Sequence, residues 1–252
     1  MDRLVNLRTK ELVIVAGAPG AGKSALAIAL SMAVDFPVLY IAQDSPASVA
    51  SRMMANVLNR PVRTVQREVE RNPKAIEMDI KSRIPSTKLV LATGPHTVDM
   101  VRDEILAMRE WLGISPPMVV IDNLIDMKSE KGSSAENIFY SDVLLSLKQV
   151  AIELDTCIVV LHHVVRGDFS HDSSMGRKRL RLRDLLFAGE REARHVWGVW
   201  NDGDMGLFLS VLKQQDGPAD PYGTLSVRFR WDTSTFRMTE DVLERGDIGG
   251  EE

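Results

Sequence analysis

Apolar runs recur along the chain, separated by stretches in which apolar positions keep helical spacing. Residues 12–16, 38–42, 88–92, 118–122 and 157–162 are rich in Val, Ile and Leu, and 195–200 in Val and Trp. Continuous runs of that length, bounded by turn residues, predict strands buried on both faces. Between them, residues 23–33 follow a glycine-rich turn, and residues 46–58 have Ser45 as N-cap and Pro46 at the first helical position. Val98, Val101, Ile105, Met108 and Leu112 form one stripe behind a capping Thr97, and Leu144, Leu147, Ala151 and Leu154 repeat the pattern. Strands alternating with crossover helices predict an α/β fold, with a mostly parallel central sheet flanked by helices. The pattern changes after residue 205. Residues 206–213 and 222–231 are separated by a turn-rich segment, and Leu225, Val227, Phe229 and Trp231 alternate with polar neighbours. These predict a C-terminal antiparallel hairpin at the edge of the same sheet, with a further short strand near 236–238.

Composition narrows the class. With 44% hydrophobic and 26% charged residues in 252, the chain has material for a sizeable core and too little polarity for disorder. Its apolar runs fall far short of the roughly 20 residues that span a bilayer, and no signal-peptide pattern opens it, so a cytoplasmic protein with no membrane association is expected. The single Cys157 excludes a disulfide framework. No low-complexity linker interrupts residues 1–243, which read as one domain, and residues 244–252 read as an acidic, disordered tail.

A net charge of −4 argues against a histone-like basic protein. On that background the run Gly176-Arg177-Lys178-Arg179-Leu180-Arg181-Leu182-Arg183 stands out. Arg177, Lys178, Arg179, Arg181 and Arg183 are a candidate grip on the phosphates of single-stranded or forked DNA. With no aromatic residue inside the run, charge rather than stacking should dominate, giving strong salt dependence and little sequence preference. The plainer alternative is a solvated surface run.

Gly17-Ala18-Pro19-Gly20-Ala21-Gly22-Lys23-Ser24 matches G-x-x-x-x-G-K-[ST] in full, between a predicted strand and a helix that continues with Ala25. Here backbone N–H groups would surround the phosphates of ATP, Lys23 would reach the β- and γ-phosphates, and the Ser24 hydroxyl would hold Mg²⁺. Asp122 ends the run 118–122 at the strand edge where ligands gather, and fits a second carboxylate for Mg²⁺. Asp44, after the next strand, is placed to orient water. His162 and His163 end another strand; adjacent strand residues face opposite ways, so a shared zinc is disfavoured and His163 suits a sensor of the γ-phosphate. The loop 167–172, with Asp168, His171 and Asp172, leaves a Mg²⁺-dependent nuclease as a minor alternative.

Several motifs in order give a more specific likeness. Asp44-Ser45-Pro46, Arg52-Met53-Met54, Ile121-Asp122-Asn123-Leu124, Leu161-His162-His163 and Lys213-Gln214-Gln215-Asp216-Gly217-Pro218 follow the P-loop. From about residue 10 to 240 the chain resembles the RecA-fold motor domain of DnaB-type hexameric replicative helicases, especially compact phage and plasmid members. The resemblance implies a RecA-like P-loop NTPase that works as a homohexamer in DNA replication or recombination, with ATP between subunits and hydrolysis driving loops 126–137 and 164–183 along single-stranded DNA. It implies that Asp44 replaces a catalytic Glu, Asp122 is the Mg²⁺-linked carboxylate, His163 senses the γ-phosphate and Lys213 acts across the interface. The family's partner-binding N-terminal domain is expected to be missing. The family's hairpin carries Lys-x-Arg, whereas here Lys213 is present and Gln215 stands at the arginine position, so either another cation such as Arg228 or Arg230 substitutes or turnover is slow. An ATP-gated recombination mediator that does not unwind is the second reading.

Overall fold

Successive residues of the central strands serve two different cores. The structure, a computed structural model, describes residues 7–43, 45–128, 136–164, 179–185, 191–203 and 205–240. In chain order its elements are β1 (Leu12–Gly17), α1 (Lys23–Ala33), β2 (Val38–Ala42), α2 (Pro46–Leu58), α3 (Val62–Arg71), α4 (Pro73–Arg83), β3 (Leu89–Thr93), α5 (Val98–Leu112), β4 (Met118–Asp122), α6 (Glu136–Glu153), β5 (Cys157–His163), β6 (His195–Asn201), β7 (Gly206–Gln214), β8 (Val227–Asp232) and β9 (Arg237–Glu240). Leu12, Ile14 and Ala16 of β1 join Val119 and Ile121 of β4 beneath α5 and α6. Val13 and Val15 join Met118 and Val120 beneath α1 and α2. The period of two in a strand therefore explains why these runs are apolar at every position.

Among the described residues the strands form one sheet in the order β3-β2-β4-β5-β1-β6-β7-β8-β9. The ladders from β3 to β6 are parallel and those from β6 to β9 antiparallel. All parallel strands end at the same edge, so the segments after β1, β2, β4 and β5 converge there. The mixed α/β fold with a C-terminal antiparallel extension follows the sequence pattern.

Two local expectations are corrected, and two helices are added. The run 88–92 reads as buried on both faces, but the strand is Leu89–Thr93 and half-exposed, because it forms one edge of the sheet. The second hairpin strand begins at Val227 rather than at residue 222. The Asp220 carboxylate accepts from the N–H groups of Tyr222 at 3.0 Å and Leu225 at 2.6 Å, which folds that stretch into a loop instead. Helices α3 and α4, which the hydrophobic pattern does not announce, pack Val65 and Ile76 against Ala55 and Leu58 of α2. Their signals are nonetheless local, since the Asn72 side chain caps α4 by accepting from Ala75 N–H at 3.2 Å and Pro73 takes its first position.

Cys157 opens β5 in the core under α1, and burial pushes its thiol up to about 12. A thiolate is the reactive form, so at pH 8 the folded protein should resist a thiol reagent such as Ellman's. Complete labelling is expected only after denaturation; rapid labelling of the native chain would contradict this packing.

Candidate active site

The turn after β1 is built for close approach. Gly20 and Gly22 adopt φ of +77° and +101°, which L side chains rarely enter, and Gly22 caps α1 in that conformation. A Cβ on Gly22 would also run into Leu207, and one on Gly17 would stand 2.9 Å from the Val199 carbonyl oxygen. Asn201, at the end of β6, donates to the Gly20 carbonyl at 2.9 Å and ties the turn to the neighbouring strand.

The structure brings Lys23, Ser24, Asp122 and His163 to one cavity of about 320 Å³, which Gly20, Gly22, Ala25 and Asn123 also line. The Lys23 ammonium donates to the carbonyls of Gly17 at 2.9 Å and Ala18 at 3.0 Å, and lies 3.5 Å from His163 Nδ1. Lys23 is only 7% exposed, and burial lowers its pKa to about 8, against the opposing pull of Asp122. Asp122 accepts from Tyr40 Oη at 2.9 Å and is hydrogen-bonded to the Ser24 side chain. Burial still raises its pKa, because these bonds and the charges of Lys23 and Arg52 only partly offset desolvation. The register Ala16↔His162 and Gly17↔His163 turns the two imidazoles to opposite faces: His162 is buried in the sheet, and His163 faces the P-loop lysine.

A hydroxyl and a carboxylate bonded to one another give the hard oxygen donors that suit Mg²⁺, and the left-handed glycine turn at the start of α1 suits phosphate. Charge and shape at this strand edge fit a magnesium-bound nucleoside triphosphate.

Three residues of the site, Tyr40, Trp231 and Phe236, are not evident from sequence motifs. Tyr40 is fully buried in β2 and reads as core, yet its hydroxyl reaches Asp122. Trp231 and Phe236 come from the hairpin end to form an apolar wall of the cavity, and the Arg52 guanidinium stacks 5.7 Å above the Phe236 ring. Tyr40→Phe keeps the packing and removes one hydrogen bond to a half-buried carboxylate, a loss of roughly 1.5–3 kcal/mol. Turnover is therefore expected to fall about tenfold or more with the fold intact, as measured by phosphate release and a thermal melt.

Other expected site residues lie elsewhere. Asp44 is outside the described residues, between Gln43, whose N–H donates to the Asp122 carbonyl at 3.0 Å, and Ser45, which caps α2. Lys213 is not in the cavity. It stands opposite Val196 near the start of β6, at the sheet edge remote from the P-loop, and donates to the Ala193 carbonyl at 2.7 Å. Arg228 and Arg230 are not neighbours of Lys213 either. They pair with Phe208 and Gly206 at the other end of the hairpin strands, where Arg228 is held by Asp202 at 3.3 Å.

Arg177 and Lys178, with the acidic loop 167–172, fall outside the described residues. Arg179, Arg181 and Arg183 are exposed while Leu180 is buried and Leu182 packs on the core, and a single 3-10 turn over Leu182–Asp184 closes the segment. That segment is anchored by Leu182 N–H donating to the Pro221 carbonyl at 2.8 Å. No helix among the described residues is long and apolar enough to cross a membrane, and none of their acidic, His or Cys side chains cluster as a metal site of three or more.

A complete P-loop ahead of a helix, a strand-end aspartate bonded to its serine and a parallel sheet that turns antiparallel define a P-loop nucleotide-binding protein. The chain belongs to the DnaB-like helicase C-terminal domain family, whose model matches residues 1–193. Among solved structures it is similar to an ATPase domain with which it aligns at a TM-score of 0.78 and 16% identity, over 93% of this chain and 86% of that one. A DnaB-like replicative helicase described with its primase interactions aligns with a TM-score of 0.76 at 16% identity, over 92% of this chain and 57% of that one. The RadB recombinase aligns at 0.57, with 14% identity over 94% and 93% of the two chains. The Gene 65 proteins of Mycobacterium phages L5 and D29 are each 24% identical, over 97% and 94% of this chain and 88% and 99% of their own lengths.

Proposed function

We propose that the chain is an ATP-dependent DNA motor, a DnaB-like helicase or translocase that hydrolyses ATP at subunit interfaces while bound to single-stranded DNA. The observation that carries the reading is the convergence of Lys23, Ser24, Asp122 and His163 on one strand-end cavity in a chain of this family.

The nucleotide would lie with its phosphates over the turn of Gly17, Ala18, Pro19, Gly20, Ala21 and Gly22, and its base against the flat faces of Trp231 and Phe236. Lys23 holds the β- and γ-phosphate charge, and His163 donates to a γ-phosphate oxygen from beside it. When bound between Ser24 and Asp122, Mg²⁺ would neutralise charge on the phosphate oxygens. Asp44 orients the attacking water, a proposal that rests on its place in the chain between Gln43 and Ser45.

Lys213 would serve a neighbour. The remoteness of Lys213 from the P-loop of its own chain supports a ring, a homohexamer, in which each hairpin faces the next subunit's nucleotide. The arginines at 179, 181 and 183, together with Arg177 and Lys178, would grip the DNA backbone. The similarity to RadB favours a second reading, an ATP-gated DNA-binding protein that assembles without unwinding. Displacement of a labelled strand from a forked duplex separates the two: the motor requires ATP-dependent release, and release that is absent despite DNA-stimulated hydrolysis would favour the second.

A further inference from the structure

Lys213 has a cationic neighbour that no motif announces. Its ammonium sits on the carbonyl of Ala193, and the next residue, Arg194, reaches across to the hairpin. The Arg194 guanidinium donates to Gln215 Oε1 at 3.0 Å and pairs with the Asp216 carboxylate. Its Nε stands 2.8 Å from Glu11 Oε1. Glu11 is itself buried and shared with His195 Nε2 at 3.0 Å and the Arg8 N–H at 3.2 Å. Two positive side chains from two segments thus meet at one end of the β6–β7 ladder, and one of them rests on the residue that stands where the resemblance expects an arginine.

We propose that Arg194 is the cation that acts on the γ-phosphate of a neighbouring subunit, with Gln215 orienting it and Lys213 completing the pair. This rests on the reading of the chain as an ATPase that works at subunit interfaces. Arg194 cannot serve its own nucleotide. Its N–H donates to the Leu12 carbonyl at 2.9 Å, at the start of β1, whereas the P-loop follows the end of that strand, roughly 17 Å away. The surroundings of the guanidinium are graded. Glu11, with a side chain only 7% exposed, fixes the inner edge of the group. Asp216 is 55% exposed, and a solvent-facing ion pair of that kind is weak, so a phosphate can displace it. The outer edge then presents two N–H donors in the fork that matches phosphate oxygens. Arg228 and Arg230 lack this placement, since they sit at the P-loop end of the hairpin.

The test uses the full chain assembled with ATP and single-stranded DNA. Arg194→Ala should lower kcat by on the order of 10³-fold, as loss of an arginine finger does in related phosphoryl transfers, while a fluorescent ATP analogue binds with unchanged affinity. Arg194→Lys, which retains the charge but not the fork, should recover only part of the rate, and it carries the same comparison should the alanine variant fold poorly. The decisive arm mixes Arg194→Ala with Lys23→Ala. Each alone is inactive, but random mixing places an intact P-loop beside an intact Arg194 at roughly a quarter of the interfaces of a ring, and hydrolysis should return in proportion. A clip that merely holds the hairpin inside its own subunit would give no such recovery. Silence of the mixture, or a wild-type kcat for Arg194→Ala, overturns the proposal alone. A wild-type chain without ATP turnover overturns both this proposal and the reading beneath it.

Discussion

Lys23→Ala is expected to lower ATP turnover by about 10³-fold, the scale on which removing one preorganised charge-stabilising donor acts. Lys23 is the buried cation of the cavity, set against the Gly17 and Ala18 carbonyls and within 3.5 Å of His163. Its charge is maintained against burial by Asp122, so the ammonium is fixed in place before any phosphate arrives and needs little reorganisation to receive one. Alanine is the best helix former and sits here in the first turn of α1, so the fold should persist. Phosphate release, with and without single-stranded DNA, measures the loss, and a thermal melt close to that of the wild type separates it from unfolding. DNA-stimulated hydrolysis retained in the variant would remove Lys23 from the role given to it.

Asp122→Asn is expected to abolish turnover to a similar degree while making the protein no less stable. The carboxylate lies half-buried between Tyr40 and Ser24, and its partial desolvation raises its pKa despite those bonds. An ionised group in that position opposes folding at neutral pH, and the amide keeps its shape and its acceptor for Tyr40 without the charge. What the amide loses is the negative oxygen that, with Ser24, would hold the metal. The expected pair of results is an unchanged or higher melting temperature and a rate reduced by about 10²–10³-fold. A variant that is both active and unstable would show that Asp122 serves the strand rather than the chemistry. Trading stability for a charged group at a strand edge is common at functional sites.

Much of this site is legible in the chain because it is local. The glycines, Lys23 and Ser24 lie within one turn, and a strand before it and a helix after it are enough to orient them. Asp122 and His163 are legible as strand ends, since parallel strands deliver their C-termini to one edge whatever their order. Tyr40 is not, because its ring belongs to the core and only its hydroxyl to the site. Trp231 and Phe236 reach the P-loop through the antiparallel extension, whose position beside β6 no periodicity reveals.

The same holds for Arg194. It meets Gln215 and Asp216 only because β7 folds back along β6, a long-range pairing that motif spacing does not contain. The substitution at Gln215 points to Arg228 or Arg230 as replacements because they lie on the same hairpin. Strand direction places them at its opposite end. Helices α3 and α4 are hard to read for another reason: they are largely polar and bury one face in a small satellite core, so their apolar stripe is thin.

The central claim, that this is a motor core whose nucleotide site works between subunits on DNA, is tested most directly by the ATPase rate of an oligomer of defined size, with and without single-stranded DNA. The expected result is hydrolysis by the assembled form, accelerated by DNA and lost with salt as the basic segment is screened. Equal rates from monomer and oligomer, indifferent to DNA, would contradict it.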